Sequence, residues 1–165
     1  MEIKYNKRFV LEPIFLTTIE TQIKPVVSLK GLDDKKYYTL IMSDPDAVGG
    51  NHIHWIVTHI KGNNFNTGNH FFEYYGPHPP KNSGKHRYIF SLYESGKDIM
   101  KDVDLDPTER QIELDHVLHE LNITGKPIYT KHFISENQEI GGKRKRNYTK
   151  KRKNKRKRSC KRRKY

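Results

Sequence analysis

The stretch that decides the fold is YYTLIMSDPDAVGGNHIHWIVTHIK, residues 37–61. Tyr38, Leu40 and Met42 alternate with Thr39, Ile41 and Ser43, the period of a β-strand. Ile41 is apolar as well, so this strand is expected to be covered on both faces. Asp44-Pro45-Asp46 ends it. Pro45 fixes its own φ and holds Asp44 extended, which makes a stiff turn flanked by two carboxylates. From His54 to Lys61 the β-branched and aromatic content returns, and a second strand is expected.

Outward from this pair the same signals recur. Ile14–Thr18, Val26–Leu29, Arg87–Glu94 and Pro127–Ile134 read as short strands bounded by Pro, Gly, Asp or Asn. Leu114, Val117, Leu118 and Leu121 stand at i, i+3, i+4 and i+7, one apolar helical stripe. The main helix is expected from about Asp115, after a single turn near 107–110. Many strands and few helices predict a mostly β, sandwich-like body with peripheral helices.

The charge is unevenly placed. The chain carries 32 Lys and Arg among 165 residues, and 16 of them fall in residues 141–165, where there is no acid. Residues 1–140 hold the other 16 against 19 Asp and Glu, a net of −3. The expected organisation is a mildly acidic domain, 1–140, and a Lys/Arg-rich tail, 141–165, disordered when free because it has little to bury and repels itself. About 140 residues suffice for a core that buries roughly two-thirds of the unfolded surface. The single cysteine, Cys160, lies in the tail, so the body has no disulfide and no cysteine-ligated metal. No apolar run approaches the roughly 18–20 residues of a membrane span, and the first residues lack a secretory signal. A soluble intracellular protein is expected, cytoplasmic, with the nucleus or a virion as further stations.

Three segments concentrate polar groups beside strands. Asp44-Pro45-Asp46 is the first. In the second, His52-Ile53-His54-Trp55, both histidines are expected on one face of a strand. That spacing suits metal ligands, and equally one exposed and one hydrogen-bonded histidine; no second ligand pair completes a metal site. The third runs from Gly76 to Tyr88, a Pro- and Gly-rich loop that enters a strand at His86-Arg87-Tyr88. His86 and Tyr88 share a face there. Arg87 takes the other, where an ion pair with a carboxylate is expected.

Asp44-Pro45-Asp46-Ala47, His54-Trp55-Ile56-Val57, and Gly76-Pro77-His78-Pro79-Pro80 leading to Gly84-Lys85-His86-Arg87-Tyr88 together resemble the phosphatidylethanolamine-binding protein family. The likeness runs from Tyr37 to Glu94 and continues more weakly through Ile112–Ile134. It departs at Val48-Gly49-Gly50, where the family usually has a proline, and at His78, often a small residue. The resemblance implies a central β-sheet packed on a smaller one, a few helices, and a small pocket at the sheet edge for phosphate or a phospholipid head group. It implies pocket residues Asp44, His54, His86 and Tyr88, with Gly76 and Pro79 or Pro80 at the rim. No cofactor and no metal are implied.

Two histidines can donate N–H bonds to phosphate oxygens, better when protonated. Anion binding is therefore expected to weaken as pH rises past about 6.5, the reference histidine pKa. Tyr88 adds a hydroxyl, and Asp44 can fix a histidine tautomer. The expected function is non-enzymatic: a pocket for an anionic small ligand or phospholipid head group, in a regulator of a protein partner, which the resemblance implies to be a kinase or a protease. The alternative is a hydrolase built on Asp44, His54 and His86, either metal-dependent or activating water through an Asp–His pair, with no serine or cysteine nucleophile read within the motifs. A further alternative lies in residues 143–164, which would contact nucleic acid or an anionic surface without sequence preference. The tail resembles those on proteins of large DNA viruses, which suggests a viral source.

Overall fold

A computed structural model of the chain describes residues 1–11, 14–100 and 103–137. The expected tail, 141–165, lies outside the described residues. Eight strands form two antiparallel sheets: β1 (Glu2–Tyr5), β2 (Arg8–Phe9), β3 (Val26–Ser28), β4 (Tyr37–Asp44), β5 (His52–Lys61), β6 (Asn69–Phe72), β7 (Lys85–Ser95) and β8 (Tyr129–Glu136). The larger sheet has the order β6-β5-β4-β7-β8 and the smaller the order β2-β1-β3. One α-helix, α1 (Leu114–Glu120), and a 3-10 turn at Phe65–Thr67 are the helical elements among the described residues. None is long and apolar enough to cross a membrane.

The alternation read in residues 38–43 separates two cores. Tyr38, Leu40 and Met42 join Trp55, Tyr88, Phe90 and Phe133, and the small sheet covers them with Ile3, Tyr5 and Val27. Ile41 points the other way, to Ile53, Ile56, Phe72, Val117 and Leu121. Helix α1 closes that second face with Val117 and then Leu121, both fully buried. Its stripe is thus the one expected, starting at Leu114; residues 106–109 form only a hydrogen-bonded turn, Glu109 N–H to Asp106 O at 3.0 Å.

Some expectations require correction. Ile14–Thr18 is not a strand. Phe15 makes a single parallel bridge to Ile134. Beyond it the Glu20 carboxylate accepts from both the Thr17 N–H, at 2.8 Å, and the Thr17 hydroxyl, at 2.9 Å, so the chain turns instead of extending a ladder. Strands β1, β2 and β6 were not expected. The β1–β2 hairpin turns at Asn6, φ 50°, a conformation asparagine tolerates.

A register shift shapes the start of β5. Met42 pairs with Trp55 and Ser43 with Ile53, which leaves His54 between them as a bulge. Plain alternation would set His54 opposite Trp55. The bulge instead turns it toward Tyr88, on the small-sheet side of β4 and β7; bulges re-aim side chains in this way. Their ring centroids are 5.1 Å apart.

Candidate functional site

The ends of β4, β5 and β7 and the loop before β7 enclose a cavity of about 210 Å³. Of the residues expected there, Asp44, His54, Pro79, Pro80, His86 and Tyr88 all line it. His52, Tyr75, His78, Ala47 and Val48 complete the wall. Gly76 is not part of it. A methyl group on Gly76 would come within 3.0 Å of the Gln22 Cα and the Thr21 carbonyl, so its small size serves packing against residues 21–22.

Strand adjacency explains the convergence. β4 lies between β5 and β7, so Asp44, the two histidines of β5, and His86 and Tyr88 of β7 arrive at one sheet end. The Asp44-Pro45-Asp46 turn is tied to β7. Arg87 Nε and Nη2 grip the Asp46 carboxylate at 2.8 and 2.7 Å, and the Arg87 backbone N–H donates to it at 2.9 Å. This is the ion pair expected for Arg87, and its hydrogen bonds hold the Asp46 carboxyl below the usual carboxylate range.

Asp44 and His86 are buried, 3% and 1% exposed. Asp44 Oδ1 accepts the Asp46 N–H at 2.9 Å, and Oδ2 accepts the His86 Nδ1–H at 2.7 Å. His86 Nε2 lies 2.8 Å from Ser83 Oγ. Both ring nitrogens of His86 are therefore engaged within the protein, and an anion must displace Ser83 to bond with it. This corrects the expectation that His86 offers a free N–H.

His54 is corrected in the same sense. Its Nδ1 sits 2.7 Å from the Tyr75 carbonyl, which can only accept, so Nδ1 carries the hydrogen. The Tyr75 N–H returns a bond to the His54 carbonyl at 2.8 Å. Burial pushes the imidazole down to about 3, against the opposing Tyr75 bond and helped by His52 and Arg110. The ring is thus neutral near pH 7, and its Nε2 is an acceptor. His52 is lowered too, by burial first and then by Arg110, with Asp44 opposing.

Two buried polar atoms of the wall have no hydrogen-bond partner: His52 Nε2 and the Tyr88 hydroxyl. Burial first, then the charge of the Asp44 carboxylate and its pull on the phenolic hydrogen, raise the Tyr88 phenol well above its ordinary value, so it keeps its proton as a donor. The cavity thus combines a hydroxyl donor and a free imidazole nitrogen with acceptors.

Sequence reasoning missed three contributors. Tyr75 orients His54. Ser83, inside the third segment itself, stands 2.8 Å from His86 Nε2. Arg110 donates to the carbonyls of Ile53, His54 and Glu73 at 3.3, 3.2 and 3.0 Å and lies 5.6 Å from the rings of Phe72 and Tyr75. The signal for Ser83 was its spacing of three from His86; nothing local marks Arg110.

A family model described as phosphatidylethanolamine-binding protein matches residues 11–133. Protein TERMINAL FLOWER 1 of Arabidopsis thaliana is 36% identical over 100 residues, 56% of this chain and 55% of that one. CEN-like protein 1 of Nicotiana tabacum is 41% identical over 86 residues, 47% of this chain and 48% of that one. The chain spans about half the length of these curated relatives. Among solved structures, the phosphatidylethanolamine-binding protein from Plasmodium vivax superposes with a TM-score of 0.69 at 18% identity, over 83% of this chain and 84% of that one. A carboxypeptidase Y inhibitor, crystallised with its cognate proteinase, gives 0.67 at 22% identity, over 83% and 82%. At these identities the two structures speak for the fold.

Proposed function

The chain belongs to the phosphatidylethanolamine-binding protein family, and we propose that it is a binding and regulatory protein whose cavity receives a small phosphate-bearing group. The observation that carries this is the pair of partnerless buried atoms, His52 Nε2 and Tyr88 OH, at the cavity wall. Each unmade bond costs about 1–3 kcal/mol, and a ligand that engages them recovers that cost.

The proton arrangement narrows the ligand. The hydroxyl of Tyr88 suits a phosphoryl oxygen. His54 Nε2 and the Asp44 carboxylate need a hydrogen from the ligand, and supply none. A phosphate that keeps one P–OH satisfies both sets, as does a head group with an ammonium beside its phosphate. For a phosphomonoester the P–OH is lost above about pH 6. Binding then weakens with rising pH because of the ligand's proton, and His54, which burial keeps neutral, takes no part in it. Titration calorimetry with methyl phosphate, a monoester without an ammonium, and inorganic sulfate at pH 5.5, 6.5 and 7.5 tests this. The monoester should bind more weakly at each step, and sulfate, which carries no proton, should bind poorly throughout. Equal affinity for the two, unchanged with pH, overturns it.

The regulatory partner is proposed to be a protein, kinase or protease. The inhibitor that shares the fold is bound to a proteinase in its crystal structure, which supports this class of partner. The basic segment 143–164 is proposed to be a separate contact for nucleic acid or an anionic surface, suited to nuclear import or virion packaging.

A further inference from the structure

From the cavity wall to the loop beside it, three side chains stand in an order that anion binding does not require. Asp44 Oδ2 accepts the His86 Nδ1–H at 2.7 Å, and His86 Nε2 is 2.8 Å from Ser83 Oγ. Carboxylate, imidazole, hydroxyl is the sequence of contacts that makes a serine nucleophilic. The carboxylate fixes the tautomer that leaves Nε2 free to take the hydroxyl proton, and then steadies the imidazolium. Asp44 and His86 are buried, while Ser83 is half-buried.

The loop presents the serine. Asn82, φ 65°, and Gly84, φ 86°, flank it in the left-handed region. The Ser83 N–H closes a turn to the Pro80 carbonyl at 3.3 Å. A methyl group built on Gly84 would meet nothing within 4 Å, so the space beside Ser83 is clear. The hydroxyl has a second acceptor, the Pro80 carbonyl, also at 2.8 Å. With its hydrogen toward Nε2 the serine is poised for attack. With the hydrogen toward Pro80, the same oxygen accepts from a protonated Nε2. These are the two proton positions that a base passes through in taking and returning a proton.

We propose that Ser83 is a nucleophile that takes acyl groups from carboxylic esters, with His86 as its base and Asp44 positioning His86. Oγ attacks the carbonyl carbon while its proton moves to Nε2. The Oγ–carbon bond forms, the bond from that carbon to the alcohol oxygen breaks, and Nε2 gives its proton to the departing alcohol. Water entering by the same route is deprotonated by Nε2, releases the carboxylic acid and restores the hydroxyl. No oxidant, reductant or co-reactant besides ester and water is involved.

The test is to incubate the full chain with a fluorophosphonate, which phosphonylates activated serines with loss of fluoride, followed by intact mass spectrometry and peptide mapping. One adduct on Ser83 is expected. It should be absent in Ser83→Ala and form at least tenfold more slowly in His86→Gln of native circular dichroism. If His86→Gln does not fold, Ser83→Cys replaces it. Its thiol, beside His86 and read by peptide mapping separately from Cys160, should react with iodoacetamide at least tenfold faster than N-acetylcysteine in the same solution. No adduct on Ser83, an undiminished rate in folded His86→Gln, or a Ser83→Cys thiol no faster than N-acetylcysteine overturns the proposal and leaves Ser83 a turn-closing residue.

Discussion

Acidifying the solution should expose the cost of keeping His54 neutral. Burial holds its folded pKa at about 3, against 6.5 for the free imidazole. The sign follows from proton uptake: between those values the unfolded chain binds a proton that the folded chain refuses, so stability rises with pH there and falls as pH drops. At pH 7.5 neither state is appreciably protonated at this site. At pH 5 the unfolded state gains about 1.5 pH units of protonation free energy, about 2 kcal/mol. Any folded value of about 4 or below gives the same figure, because the folded ring is then still neutral at pH 5. The perturbation is His54→Asn, whose amide can replace the Nδ1–H bond to Tyr75 without a titrating group. Urea unfolding at pH 7.5 and 5.0, wild type beside variant, isolates His54 from other ionisable groups. The wild type should lose about 2 kcal/mol more than the variant, about 1 M in urea midpoint for a domain of this size. Equal losses in the two proteins would refute the reasoning, since they would mean that His54 is as easily protonated folded as unfolded.

Other perturbations probe different contacts. Arg110→Lys should cost about 2 kcal/mol in urea unfolding at pH 7.5, because an ammonium cannot serve three carbonyls and two rings as the planar guanidinium does. Gly62→Ala should lower the urea midpoint by the equivalent of about 2–4 kcal/mol, since a Cβ there would sit 2.7 Å from the Asp34 Cα at a φ of 52°. Deletion of residues 141–165 should abolish binding to double-stranded DNA in a gel-shift assay. With the tail present, affinity should fall about 10³–10⁵-fold between 50 and 200 mM salt if six to ten phosphates are engaged; DNA binding that survives the deletion would place the contact elsewhere.

The long strands were legible because their residues carry their own evidence. Residues 38–43 show both the alternation and the apolar back face that the two cores require, and Pro45 marks where the strand must stop. The stripe Leu114, Val117, Leu118 and Leu121 gave α1 for the same reason. The short strands β1, β2 and β6 offer too few positions for a period to show. Ile14–Thr18 has β-branched content, yet Glu20 takes the Thr17 N–H that a ladder would need. In the cavity, the residues themselves were legible from the three segments, but their proton states were not. The bulge at His54 depends on the register between β4 and β5, which no single strand reveals. The neutral state of His54 depends on burial beneath Tyr75 and Tyr88, and the engagement of His86 depends on a loop folded back by positive φ at Asn82.

The five-stranded sheet divides the molecule into two compartments with separate apolar fillings. A change beneath α1 reaches the cavity through the backbone of the strands between and through Arg110, which touches Phe72 on the helix side and Tyr75 of the cavity wall. The helix side can therefore drift, acquire new outward residues and try new associates, while the imidazoles and the carboxylate on the far side keep their spacing. One scaffold can in this way hold its ligand chemistry fixed and renegotiate its company.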